Sequence, residues 1–234
     1  KYKTPIVPTK PLKFGTAVIW ICFGMGLCVI ANAGTSFLVA FFKNLGITLT
    51  QGDVAKPNSI FECILDIIGI AIVPAICEEF AMRCCALGLL KNYGKAFGVV
   101  SVSVVFGLLH GNVIQFIFAF LVGLVLAYIT IKTESIIPAM CIHALNNGMS
   151  AVSDTVNYAA GKEVNVTVGF FAFWLLVGII ATIYLAIKHK LTIPKDDGNC
   201  VLTLGEKVSS FFFPGMILPF IVLIIMTAQT VKIG

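Results

Sequence analysis

Seven apolar runs follow one another along this chain, near residues 14–42, 60–90, 96–111, 112–131, 136–153, 167–188 and 211–231. A helix of about 20 apolar residues crosses the hydrocarbon of a bilayer, where no backbone polar group can be left unpaired. A chain so organised folds as helices packed on helices, with lipid as the outer solvent. Charged residues make up 12% of the 234 and apolar residues 59%, against about 25% charged in soluble domains. That is too little polar side chain to coat a water-facing surface. The expectation is an all-α, polytopic transmembrane helical bundle of about seven helices, a single domain over 1–234. The third and fifth runs are short enough to be tilted or partly re-entrant.

The lysines orient the bundle. With the N-terminus inside, Lys1, Lys3, Lys10, Lys13, Lys91, Lys95, Lys132, Lys188, Lys190, Lys195 and Lys207 fall on the cytoplasmic side. Only Lys43, Lys56, Lys162 and Lys232 fall opposite, a positive-inside bias. Ala31-Asn32-Ala33 has the small-residue pattern of a signal-peptidase site. The apolar sequence resumes through 37–42, so the run reads as the first span. No initiator Met is present, which leaves room for native residues before Lys1. The stretch 189–208, with Pro194 and Asp196-Asp197-Gly198-Asn199, reads as a cytoplasmic loop. No basic run interleaved with aromatics points to nucleic acid. Seven cysteines, Cys22, Cys28, Cys63, Cys77, Cys84, Cys85 and Cys141, sit in apolar runs without a C-x-x-C pair and read as small hydrophobes.

Ionisable residues in mid-bilayer cost several kcal/mol and point to function by default. The densest group is Cys77-Glu78-Glu79-Phe80-Ala81-Met82-Arg83, which holds the chain's single arginine. Arg83 follows Glu79 by one helical turn, so the two can pair on one face, whereas Glu78 is rotated about 100° away. One carboxylate is thereby neutralised and the other is left to react. Counting from the polar turns at 1.5 Å per residue puts Glu78, His110 and Asn147 at one depth, about 20 Å in, with His143 one turn lower. His143 and Asn147 share a helix face, with Asn146 near it, and Phe106 lies one turn before His110. Pro74 can kink the helix just before Glu78. Glu62 and Asp66 lie higher on the same helix, near the far interface or a wet entrance. Asn32, Ser101, Ser103 and Gln115 read as polar groups that glue helices together.

A glutamate and a histidine flanking one water can drive its attack on an amide carbonyl, and a second histidine with an asparagine amide can hold the oxyanion. Two histidines and a carboxylate (Glu78, His110, His143) could instead hold Zn²⁺ with one position open for water. Neither H-E-x-x-H nor H-x-x-E-H occurs. Two other classes stay open: a non-catalytic membrane immunity or interaction protein, and a proton-coupled transporter, for which no inverted repeat is evident.

Three motifs occur in order: Glu78-Glu79-x-x-x-Arg83, Phe106-x-x-x-His110 and His143-x-x-x-Asn147. Together they span 78–147, about a third of the chain, inside a motif-bearing catalytic core of about 60–153, and resemble the motif set of the CAAX-protease and bacteriocin-processing family of intramembrane peptidases. The resemblance implies an intramembrane endopeptidase acting near a membrane-associated or lipidated peptide terminus, by a mechanism with a metal such as Zn²⁺ or without one. In that reading Glu78 activates water with His110, His143 and Asn147 bind the oxyanion, and Glu79, Arg83 and Phe106 support the site. Membrane lipids and a peptide or lipidated protein are the implied partners. The small size and the lack of a eukaryotic targeting tail point to a bacterial cytoplasmic membrane.

Overall fold

The computed structural model describes residues 8–52, 55–194, 203–209 and 214–233. Their helices are α1 (Phe14–Asn44), α2 (Ile60–Tyr93), α3 (Lys95–Leu108), α4 (Val113–Thr133), α5 (Ile137–Ala160), α6 (Val166–Ile187), α7 (Leu204–Ser209) and α8 (Pro214–Ala228). Of these, α1, α2, α4 and α6 are long and apolar enough to cross a membrane, with 31, 34, 21 and 22 residues. Helix α3 is short, as expected, at 14 residues. Helix α5 is not: it runs for 24 residues, because 154–160 continue the helix until Gly161 closes it in the left-handed region, φ 60°. The apolar faces of the long helices stay open, with Phe37 at 69%, Phe61 at 68% and Ile187 at 68% exposure. Lipid is the solvent that makes such faces stable. The chain is an all-α membrane bundle.

Local chemistry sets the element boundaries. Ser59 opens α2: its hydroxyl accepts from the Glu62 N–H, and the Glu62 carboxylate accepts from the Asn58 N–H at 2.7 Å. Glu62 is therefore a helix cap at the entrance of α2. Gly94, with φ 125°, turns α2 into α3, a conformation that suits only glycine. Asn112 caps α4 by accepting from the Gln115 N–H at 2.8 Å and donates from Nδ2 to Gln115 Oε1 at 2.7 Å.

Part of the expected 189–208 loop is helical. Thr203 accepts from the Glu206 N–H, and the Glu206 carboxylate reaches back to the Thr203 N–H and hydroxyl. That capping box starts α7 and holds the Glu206 carboxyl below the usual carboxylate range. The rest of the loop, 195–202 with Asp196-Asp197-Gly198-Asn199, lies outside the described residues, as do Lys1, Lys3 and the start of the 211–231 run.

Helix α2 is not a uniform α-helix. It widens to i→i+5 bonding over Ile67–Ile72 and again over Phe80–Ala86, flanking the α-helical Val73–Glu79. Pro74 is a cause of the first widening. It has no N–H to give the Ile70 carbonyl four residues back, and its ring crowds that carbonyl. The Val73 N–H bonds Ile68, five residues back.

The buried core lies among α1, α4, α5 and α6, around Met25, Leu126, Ile129 and Ile142. Helices α1 and α6 cross at paired glycines: a Cβ on Gly26 would fall 2.8 Å from Gly178 Cα, so the backbones meet where lipid could not squeeze them together. The two ends of the bundle separate cleanly. At one end the Pro8 carbonyl accepts from the Ile136 N–H, Lys10 pairs with Glu134, and the Tyr128 hydroxyl donates to the Thr192 carbonyl. At the other end β1 (Ile47–Leu49) pairs antiparallel with β2 (Val231–Ile233), and the Val113 N–H donates to the Thr230 hydroxyl. The segment before α1 and the strand after α8 therefore lie at opposite ends.

Candidate active site

Glu79 is the centre of the cluster. It comes from the end of the α-helical stretch of α2, and its side chain is fully buried. Arg83, one turn on, brings Nε to 2.9 Å from Oε2 and Nη2 to 3.4 Å from Oε1. The pairing expected from the i, i+4 spacing is present. Its alignment is that of an ion pair more than of two directed hydrogen bonds, since Glu79 Oε2, Arg83 Nε and Arg83 Nη1 have no hydrogen-bond partner among the described residues. The guanidinium also lies over the Phe106 ring, 5.1 Å from its centroid.

The structure adds a partner that one-helix spacing does not show. His143 of α5 places Nδ1 at 2.9 Å from Glu79 Oε1. A carboxylate only accepts, so Nδ1 carries the proton and Nε2 keeps the lone pair. That Nε2 faces Glu78, whose Oε2 is 3.9 Å away. The Glu78 side chain is 43% exposed, while His143 is buried. The two glutamates thus divide as expected, one locked and one free, and they address opposite nitrogens of a single imidazole.

His110 stands differently from the expectation. It is not within 4 Å of either glutamate, and His143 is the histidine that faces Glu78. His110 Nδ1 donates to the carbonyl of Phe106 at 2.8 Å, which leaves Nε2 as an acceptor. Phe106 joins the parts. Its ring meets His110 edge-on at 5.1 Å and His143 edge-on at 5.9 Å, and it is almost completely buried.

Asn147 lies one turn beyond His143, but not level with Glu78. Its Nδ2 donates to the Ile70 carbonyl at 3.2 Å, the carbonyl that Pro74 cannot serve. Asn146 donates to Asn147 Oδ1 at 3.3 Å. The depth count placed Asn147 one turn too low because α2 and α5 are not parallel rods with a common origin, and α2 is unevenly wound.

Phe106, His110, His143, Asn146 and Asn147 border a cavity of about 750 Å³. Helix α1 supplies the opposite wall through Asn32, Thr35, Ser36, Val39, Ala40 and Lys43. Asn32 and Gln115, expected as packing glue, line this space. Ser103 does pack, its hydroxyl turned onto the Val99 carbonyl and its side chain against Gly123. The signal for the α1 wall was present as small and polar residues recurring at i, i+3, i+4, i+8 and i+11 from Asn32. It was hidden by the high apolar content of that run.

A zinc site needs three protein donors about one cavity point. Glu78 and His143 offer two, and no group of three His, Cys, Asp or Glu side chains converges among the described residues. The donor set among the described residues does not fit zinc.

Fold and site together define a helical membrane protein with a buried Arg–Glu–His relay ending at a half-exposed carboxylate. Residues 60–149 match the family model described as Rce1-like, type II CAAX prenyl endopeptidase. The matched segment runs from the start of α2 into α5 and holds Glu78, Glu79, Arg83, Phe106, His110, His143 and Asn147; over it the chain is similar to that family. No curated protein and no solved structure matches the chain.

Proposed function

We propose that the chain is an intramembrane endopeptidase that hydrolyses a peptide bond near a membrane-associated or lipidated peptide terminus, in a bacterial cytoplasmic membrane with its N-terminus cytoplasmic. The observation that carries the reading is the 3.9 Å gap between Glu78 Oε2 and His143 Nε2. Two acceptors so spaced suit one water that donates to both at about 2.8 Å. As the water oxygen attacks the scissile carbonyl, Glu78 takes its proton and later returns it to the leaving amine. Glu79 never touches the water. It fixes the tautomer and tilt of His143, as Arg83 fixes Glu79. The oxyanion has two donors at hand: the Asn147 amide hydrogen not given to Ile70, and His110 Nε2 when that ring is protonated.

The test is cleavage of a panel of peptides with lipidated or apolar termini by protein in liposomes. Wild type cleaves at least one, and Glu78→Gln, still folded, loses about 10²–10⁴-fold in rate. Full activity in folded Glu78→Gln removes the reading. Water held by Glu78 and His143 needs no metal, so activity survives EDTA. Loss on chelation that added Zn²⁺ restores would reassign those two groups as ligands.

A further inference from the structure

We infer that Thr230 is a positioning residue for His110, acting from a C-terminal segment outside the family-matched one. The inference rests on the peptidase reading, in which His110 donates to the oxyanion. The turn 109–112, between α3 and α4, carries His110. Within it the Gly111 N–H donates to the Leu108 carbonyl, and Asn112 Nδ2 donates to the His110 carbonyl at 3.3 Å. Gly111 stands at φ 67°, in the left-handed region that suits glycine. The Val113 N–H opens α4 and has no acceptor in its own helix. Thr230, 117 positions further along the chain, serves it: the hydroxyl oxygen accepts from the Val113 N–H at 3.1 Å.

The hydroxyl is itself oriented. Its proton goes to the Thr227 carbonyl at 2.7 Å, which leaves the oxygen lone pairs for Val113. The Thr230 carbonyl accepts from the Thr50 N–H at 2.9 Å and from the Thr50 hydroxyl at 3.0 Å, beside the β1–β2 clasp. Met226, near the end of α8, brings its methyl to 3.7 Å from where a Gly111 Cβ would stand. One short segment thus holds the His110 turn twice, by a bond at Val113 and by packing at Gly111. On the α3 side the ring is tied by Nδ1 to the Phe106 carbonyl. The aim of Nε2 then depends on where the turn sits, and a displacement of about 1 Å can cost about 10²-fold in rate. Simple stitching of the bundle's end would act differently: it would lower stability and leave the loss independent of His110.

The experiment compares Thr230→Val, which keeps the branched shape and removes both hydroxyl bonds, with Thr230→Ser, which keeps them. Hydrogen exchange of the full chain in detergent, read by mass spectrometry, reports the clamp without turnover. Thr230→Val raises exchange over 107–116 by about fivefold or more, while Val166–Ile187 exchanges as in wild type; Thr230→Ser matches wild type in both segments. Cleavage of a panel peptide that wild type cuts then reports the use of the clamp. Thr230→Val lowers kcat by about tenfold with KM little changed, the mark of a contact made only in the transition state, and Thr230→Ser restores the rate. In a His110→Gln background the same Thr230→Val change costs nothing further. Unchanged exchange over 107–116, a rise spread evenly through the bundle, or an equal kcat loss with and without His110 overturns the inference. Wild-type cleavage by Glu78→Gln would instead sink the peptidase reading, and the exchange pattern would still judge the Thr230 clamp by itself.

Discussion

Glu78 and Glu79 are adjacent in sequence and opposite in consequence. Glu79 is fully buried between Arg83 and His143. Replacing it with Gln strands the guanidinium in a fully buried site, and breaking such a buried pair costs about 3–5 kcal/mol. Thermal unfolding in detergent therefore shows a much lower midpoint for Glu79→Gln than for wild type, while Glu78→Gln, half exposed and without a bonded partner within the described residues, stays close to wild type. Equal midpoints for the two variants would contradict the division. The Glu79–Arg83 half of this was legible because both residues lie on one helix, where spacing fixes contact. The Glu79–His143 half was not. Those residues are 64 apart, and no single-helix rule says which nitrogen of which imidazole will arrive. The same limit applies to His110 and His143: both lie at a plausible depth, and only packing decides which one turns toward Glu78.

At the scale of elements, α2, which carries Glu78 and Glu79, is irregular. Two widened stretches flank Val73–Glu79, and such bulges recur at functional sites in helices. Pro74 leaves the Ile70 carbonyl unserved, and Asn147 supplies the missing donor at 3.2 Å. This makes a coupled prediction. Asn147→Ala removes that donor and costs about 1–3 kcal/mol. In a Pro74→Ala background, where residue 74 regains its N–H, the loss is smaller, and the double-mutant cycle gives a coupling of about 0.5 kcal/mol or more. Purely additive losses would mean that the two residues do not share the carbonyl. The proline was visible in the sequence as a kink. Its partner on α5 was not, since a depth count assumes straight, evenly wound helices. The crossing of α1 and α6 is a second element-scale case. Gly26→Val must push Gly178 backbone away, because the new Cβ would sit 2.8 Å from its Cα. The expected result is a lower unfolding midpoint; an unchanged one would show that the helices are not in close contact.

For the molecule as a whole, hydropathy specified a membrane bundle, and most of the lysines fall toward one of its ends. The structure joins the segment before α1 to the α4–α5 turn at one end, and β1 to β2 at the other. In a lipid chain of helices that ordering is readable because backbone hydrogen bonding leaves few alternatives. The β1–β2 clasp was not readable: Ile47–Leu49 and Val231–Ile233 are three residues each, too short for a periodicity to register. With the lysine-rich end inside, a protease tag inserted after Gln51 is cut in intact cells, and one inserted after Lys190 is cut only after lysis; the reverse pattern would invert the orientation.

The central claim is that Glu78 and His143 act on one water. It is tested most directly by kcat/KM for Glu78→Gln, His143→Gln and the double variant, measured on folded protein with a peptide that wild type cleaves. Groups that work as a unit are non-additive, so the double variant should be about as slow as the slower single one. Losses that multiply, or a folded His143→Gln enzyme at wild-type speed, would contradict it.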